Sequence, residues 1–139
     1  MVHDKKMLRE LAAQVAEIAA LPEQRDRIAR WQKLNGLQPE RPMVMIDQIP
    51  WHEMDVNGEL RCHTEDPFFR DVETQLRRVL YRWHHLRVDM VVEACVDVPK
   101  VINGANLGIT VSEERAVHDA ANDIVGHVYH DQLQDDEDL

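Results

Sequence analysis

Apolar residues recur at spacings of three and four over residues 4–20. Leu8, Leu11, Val15 and Ile18 share one face there, and Ala12, Ala16, Ala19 and Ala20 add good helix formers. That is the pattern of an amphipathic helix. Leu21-Pro22 interrupts it, because a proline ring clashes with a preceding helical turn. Pro22 also suits the first turn of a second helix, with Glu23 at its positive end. The second helix is expected to run to about Leu34 and to bury Ile28, Trp31 and Leu34. Asn35-Gly36 is its stop signal. Residues 1–36 are therefore predicted to be a helical hairpin, or a lid lying on something else.

Gln38-Pro39-Glu40-Arg41-Pro42 is an extended connector. Met43–Asp47 is nearly all apolar, as a strand covered on both faces would be. Residues 54–62 predict a hairpin around Asn57-Gly58. Asp66-Pro67 then opens the longest helix, about 66–87, with Asp66 as N-cap and Pro67 as first residue. Phe69, Val72, Leu76, Val79, Leu80 and Trp83 form its apolar stripe. Glu73 and Arg77 are spaced as an i,i+4 pair worth about 0.3 kcal/mol. Residues 89–98 predict a buried strand that Pro99 ends. A loop at 103–108, a strand at 109–111 and a strand at 124–129 complete the pattern before an acidic tail at 131–139. The elements imply one α/β or α+β domain, with the helical hairpin and one long helix packed on a small mixed sheet drawn from residues 41–130.

Composition narrows the function classes. The chain has 139 residues, enough for a real core, and 44% are hydrophobic. A net charge of −10, with basic residues scattered among acids, argues against a nucleic-acid surface, which needs clustered Lys and Arg. No apolar run approaches the roughly 20 residues of a membrane span. Asp4, Lys5, Lys6, Arg9 and Glu10 occupy the place where a secretory signal has its apolar core. Cys62 and Cys95 form no C-x-x-C. A cytoplasmic chain with two free thiols is the expectation, a Cys62–Cys95 disulfide being the alternative. With five glycines and no G-x-G-x-x-G or Walker pattern, a glycine-rich phosphate loop is excluded.

Few residue groups offer chemistry. Trp51-His52-Glu53 joins an imidazole and a carboxylate, which can act as a general acid/base pair or in a metal site. On a strand the two would point to opposite faces, so they converge only if the chain turns after Pro50. The structural alternative is that Trp51 packs inward while His52 and Glu53 bond nearby backbone. His127 and His130 would share a face on a helix, but the intervening Val128 and Tyr129 favour a strand, so a shared metal is not expected. His84-His85 suits the negative end of the long helix. Cys95, in an apolar run, is expected to be an inert thiol, and Cys62 beside His63 is the more plausible nucleophile. Asn103 and Asn106, with Gly104 and Gly108, form a polar loop where ligands often bind and ordinary turns also occur. The acidic tail lacks the spaced acids of a calcium loop.

Five runs together resemble a known family. They are Arg30–Leu37, Arg41–Val44 continuing into Trp51–Met54, Asp66–Arg70, Asp89–Glu93 and Asn122–Leu133. In them the chain resembles the N-terminal portion of the uroporphyrinogen decarboxylase-like family, closest to its corrinoid- and cobalamin-dependent methyltransferase branch. The likeness is spread over most of residues 25–139. It implies a (β/α)₈ barrel, which takes roughly 250 residues, so the chain is expected to be an N-terminal fragment or a truncated product. It further implies that Trp51, His52, Glu53, Asn103 and Asn106 face a substrate or corrinoid. No cofactor is expected in this chain itself. Corrinoid and zinc would belong to a full-length parent, the zinc held by later barrel residues. The implied partners are the remaining barrel or a corrinoid protein, with a homodimer as alternative, and neither nucleic acid nor membrane. The decarboxylases carry an arginine-rich stretch after their first strand. In the comparable place this chain has Asp47-Gln48-Ile49-Pro50, an acid where a polycarboxylate needs cations. Uroporphyrinogen decarboxylation is therefore disfavoured. A non-catalytic interaction or oligomerisation module is the alternative reading.

Overall fold

The helical periodicity translates directly into helices. In the computed structural model, which describes residues 2–100, 111–119 and 124–131, α1 spans Val2–Ala19, α2 Pro22–Asn35 and α4 Pro67–His85, with a single helical turn, α3, at Trp51–Met54. The chain divides into two units, Met1–Val98 and Pro99–Leu139. The four described helices belong to the first. No described helix is long and apolar enough to cross a membrane.

The core of the first unit is where α1 meets α4. Val15 of α1 and Leu76, Leu80 and Trp83 of α4 are buried with Val92, and Leu8, Leu11, Ile18, Val72 and Val79 pack around them. The stripe read from the sequence is thus the stripe that packs. Removing such side chains from water is the main stabilising term, about 25 cal/mol per Å² of apolar surface. Asp66 caps α4 as expected: its Oδ1 accepts from the Phe69 amide at 3.1 Å, with Pro67 next in line.

α2 departs from its apolar pattern. Ile28 is exposed, and the buried residues are Gln24 and Arg27, with Trp31 half-buried. These positions, i, i+3 and i+7, do share one face. It is buried because its polar groups find partners. Arg27 also lies 5.0 Å from the Trp83 ring centre, while Arg87 lies 4.1 Å from it, a cation–π arrangement.

The apolar runs are not strands. Met43–Asp47 and Asp89–Val98 join no ladder, and Val44, Met45 and Cys95 are exposed. Several of their backbone groups are taken by side chains instead. The Val92 amide donates to Gln24 Oε1 at 2.9 Å, and Gln75 brackets Asp97, accepting from its amide at 3.1 Å and donating to its carbonyl at 2.9 Å. Residues 54–62 likewise form no hairpin. Gly58 turns the chain at φ 75°, and Asp55 Oδ1 captures the Leu60 amide at 3.0 Å before any strand pairs.

Among the described residues the sheet lies in the second unit and is antiparallel and two-stranded, not mixed. β1, Glu113–Asp119, pairs with β2, Ile124–Tyr129, in the register Glu113↔Tyr129 to Val117↔Val125, with an irregularity between Val117 and Asp119. β2 lies where the sequence placed it. Val111 precedes β1 and is in no strand, and the rest of the strand expected at 109–111 lies outside the described residues. Cross-strand pairs support the sheet: His127 Nδ1 is 2.9 Å from Glu113 Oε2, and His130 Nε2 is 3.5 Å from Glu114 Oε1. The helices and this antiparallel pair make the chain α+β.

One terminus is built against local preference. The αL position that follows α2 is taken by Leu37, at φ 58°, while Gly36 has φ −81°. Leu37 is 89% exposed, so its side chain gains little there. Leu37→Gly is expected to raise the unfolding free energy by about 0.5–1 kcal/mol, since glycine adopts αL without strain. Urea melts of the two proteins check this.

Candidate functional site

Three side-chain clusters in the first unit could carry function. The first is α3. The chain turns after Pro50, whose carbonyl accepts from the Glu53 amide at 2.9 Å. Trp51 packs edge-on against Tyr81 with ring centres 6.1 Å apart, and the Arg78 guanidinium lies 4.9 Å from the Trp51 ring. His52 and Glu53 are both exposed, with Nε2 and Oε1 3.6 Å apart, too long for a hydrogen bond. Tyr81 continues to His85 at 4.4 Å, and His85 Nε2 lies 2.9 Å from Glu59 Oε2. This contact holds the Glu59 carboxyl below its ordinary range. His84 and His85 do end α4, as its dipole favours. Asn103 and Asn106 lie outside the described residues.

The second cluster centres on Glu73. Its residue is 0% exposed, although it sits on a helix of a net acidic chain. Oε2 accepts from the Thr64 amide at 2.9 Å, the Thr64 hydroxyl at 2.8 Å and the His63 amide at 2.9 Å. Oε1 accepts from Arg77 Nε at 2.7 Å and the His63 amide at 3.0 Å. Arg77 also donates to the Glu59 carbonyl at 3.1 Å. The expected i,i+4 pair therefore forms with its carboxylate buried, and it ties residues 59–64 to α4. Burial alone would push the Glu73 carboxyl up, but the Thr64 amide, Arg77, the Thr64 hydroxyl and the His63 amide together outweigh it and hold it below its ordinary range. Cys62 is half-buried beside this cluster, its Sγ 3.2 Å from Thr74 Oγ1, and both cysteines are free thiols. Cys95 is exposed rather than buried, because its segment runs along the surface.

The third cluster centres on Asp89. Arg41 grips its carboxylate with two bonds, Nη2 to Oδ1 at 2.5 Å and Nη1 to Oδ2 at 2.9 Å, and the Val44 amide adds a third at 2.9 Å. The Asp89 amide donates to the Val44 carbonyl at 3.2 Å, and Trp31 Nε1 donates to the Asp89 carbonyl at 2.8 Å. Next along the chain, Arg27 donates to the Met90 carbonyl at 2.6 Å. The Arg41 bonds, then the Val44 amide, hold the Asp89 carboxyl far below the usual carboxylate range. Val88, just before it, has φ 31°, a strained value for a β-branched residue. The network around Asp89 holds it there.

Both carboxylates are buried and accept several hydrogen bonds each, so they tie separate segments of the chain together. Sequence reading missed them, together with Gln24, Arg27, Arg41 and Thr64. A signal for Glu73 exists: positions 69, 73, 76, 80 and 83 alternate by four and three, which puts the acid inside the buried seam. Among the described residues no three of His, Cys, Asp and Glu come together to hold a metal ion. No known protein family, no curated protein and no solved structure matches the chain.

Proposed function

We propose that this chain is the N-terminal part of a uroporphyrinogen decarboxylase-like methyltransferase of the cytoplasm. It forms or covers the substrate or corrinoid site of that family's barrel, and α3 faces that site. One observation supports this above others: stretches that carry the likeness meet. Trp31 from the first, Arg41 and Val44 from the second, and Asp89 and Met90 from a later one are joined in the Asp89 network. A part that must keep one shape for a partner needs such joining. The motif residues then preserve shape, and His52 and Glu53 are left exposed to meet the partner. Asp47 continues to disfavour uroporphyrinogen itself.

The test is methyl transfer by a full-length protein carrying this chain, with His52→Ala and Glu53→Ala combined. Both groups are exposed, so stability should change by no more than about 0.5 kcal/mol. The transfer rate should fall at least about tenfold, roughly 1.4 kcal/mol of barrier. An unchanged rate would remove the reading.

A second reading, an oligomerisation module, draws on the exposed apolar residues Val44, Met45 and Val88 near Asp89, Met45 being 63% exposed. Light scattering decides it: a dimer of the chain supports this reading, and a clean monomer counts against it.

A further inference from the structure

The two-stranded sheet of the second unit is open along β2. The His130 amide donates to the Ser112 carbonyl at 2.9 Å. In the antiparallel register Glu113↔Tyr129, bonds to β1 therefore fall at Val128 and Gly126, while the amides and carbonyls of His127 and Tyr129 point away from β1. Among the described residues β2 has no second ladder partner. Val128 is 58% and Tyr129 67% exposed, and they lie on opposite faces, so neither face is covered at that end. A lone pair of strands is marginally stable in water, and a third strand strengthens it. The two edges differ. β1 carries Glu113, Glu114, Arg115 and Asp119, charges that keep an edge from pairing, and β2 carries no Asp, Glu, Lys or Arg.

We propose that the outer edge of β2 takes up an extended, lysine- or arginine-rich peptide segment of a partner protein as a third strand. Main-chain bonds to His127 and Tyr129 supply the pairing, and alternate side chains of the segment lie beside Val128 and Tyr129. Charge selects this occupant. From Pro99 to Leu139 the chain has nine Asp and Glu against Lys100 and Arg115. So acidic a unit attracts a basic segment and repels both an acidic segment and a second copy of itself.

The test is an NMR titration of the whole chain with a synthetic heptapeptide of alternating lysine and valine. One control is the glutamate–valine heptapeptide. The other is the lysine–valine peptide N-methylated at every internal peptide nitrogen, which keeps the charge but cannot form a ladder. The expected result is a saturable shift of the His127 and Tyr129 amides by the unmodified lysine–valine peptide alone, with a Kd on the order of 10–100 µM at low salt. Sodium chloride at about 0.5 M should weaken it at least about tenfold. Tyr129→Pro removes an outward N–H that β1 does not use, and should weaken binding at least about tenfold. The proposal is overturned by no saturation up to about 1 mM, by equal binding of the acidic or the N-methylated peptide, by indifference to salt, or by undiminished binding in Tyr129→Pro. Shifts at the same two amides on raising the protein concentration without peptide would assign the edge to a second copy and overturn it as well. If the proline variant does not fold, the N-methylated peptide decides.

Discussion

Replacing Glu73 by alanine is expected to lower the unfolding free energy by about 3–5 kcal/mol, the cost of breaking a buried ion pair from one side. Arg77, two amides and a hydroxyl would all lose their acceptor at once. Glu73→Gln keeps the volume but sets an NH₂ group among donors, and should cost about 2–3 kcal/mol. Urea unfolding at neutral pH reads both. The pH dependence follows from the direction of the shift. In the folded chain the Glu73 carboxyl titrates below its ordinary range, whereas unfolded it titrates near a pKa of about 4.3. The unfolded state therefore takes up a proton first as pH falls. The stabilisation is complete above the unfolded pKa and is lost as pH drops through the folded one. The Glu73→Gln protein should lose that part of the acid slope. An alanine variant as stable as the parent would show that the cluster is not structural.

Asp89→Ala should have the second-largest effect, about 2–3 kcal/mol. It strands the Val44 amide and Arg41, and releases the residue that holds the strained Val88. Because Arg41 acts through the same carboxylate, Asp89→Ala combined with Arg41→Met should lose little more than Asp89→Ala alone. A double-mutant cycle of urea melts measures that coupling, and simple additivity would contradict the geometry. The sign with pH matches that of Glu73: Arg41, then the Val44 amide, depress the folded carboxyl. This contribution too is present above the unfolded pKa of about 3.9 and fades as pH falls toward the folded value.

The helices were legible because their signals are local. Leu8, Leu11, Val15 and Ile18 lie within one helix, and Asp66-Pro67 is both the signal and the cap. The polar clusters were not, because each joins residues far apart in the chain: Gln24 with Val92, Trp31 and Arg41 with Asp89, Glu73 with Thr64. An apolar run such as Met90–Val96 reports a wish for burial but not which group will satisfy its amides. Here side chains took that place, and the expected strands did not form. β1 escaped notice for the opposite reason. Glu113-Glu114-Arg115 looks like a solvated charge run until β2 supplies the cross-strand histidines. At the candidate site the turn after Pro50 was foreseen, and it brings His52 and Glu53 together on an exposed surface. Of the carboxylates that organise their surroundings, Glu73 was read only as a helical partner of Arg77, and Asp89 only as the start of an apolar run.

Side chains do in the first unit of this fold what a sheet ladder does elsewhere. Hydrogen–deuterium exchange at single amides tests this most directly. The amides of Val44, His63, Thr64 and Val92 lie outside helices and strands, yet each donates to a carboxylate or amide oxygen of a distant residue. They should be protected to a degree approaching the buried turns of α4. Exchange of these four at the rate of the exposed Val56 segment would contradict it.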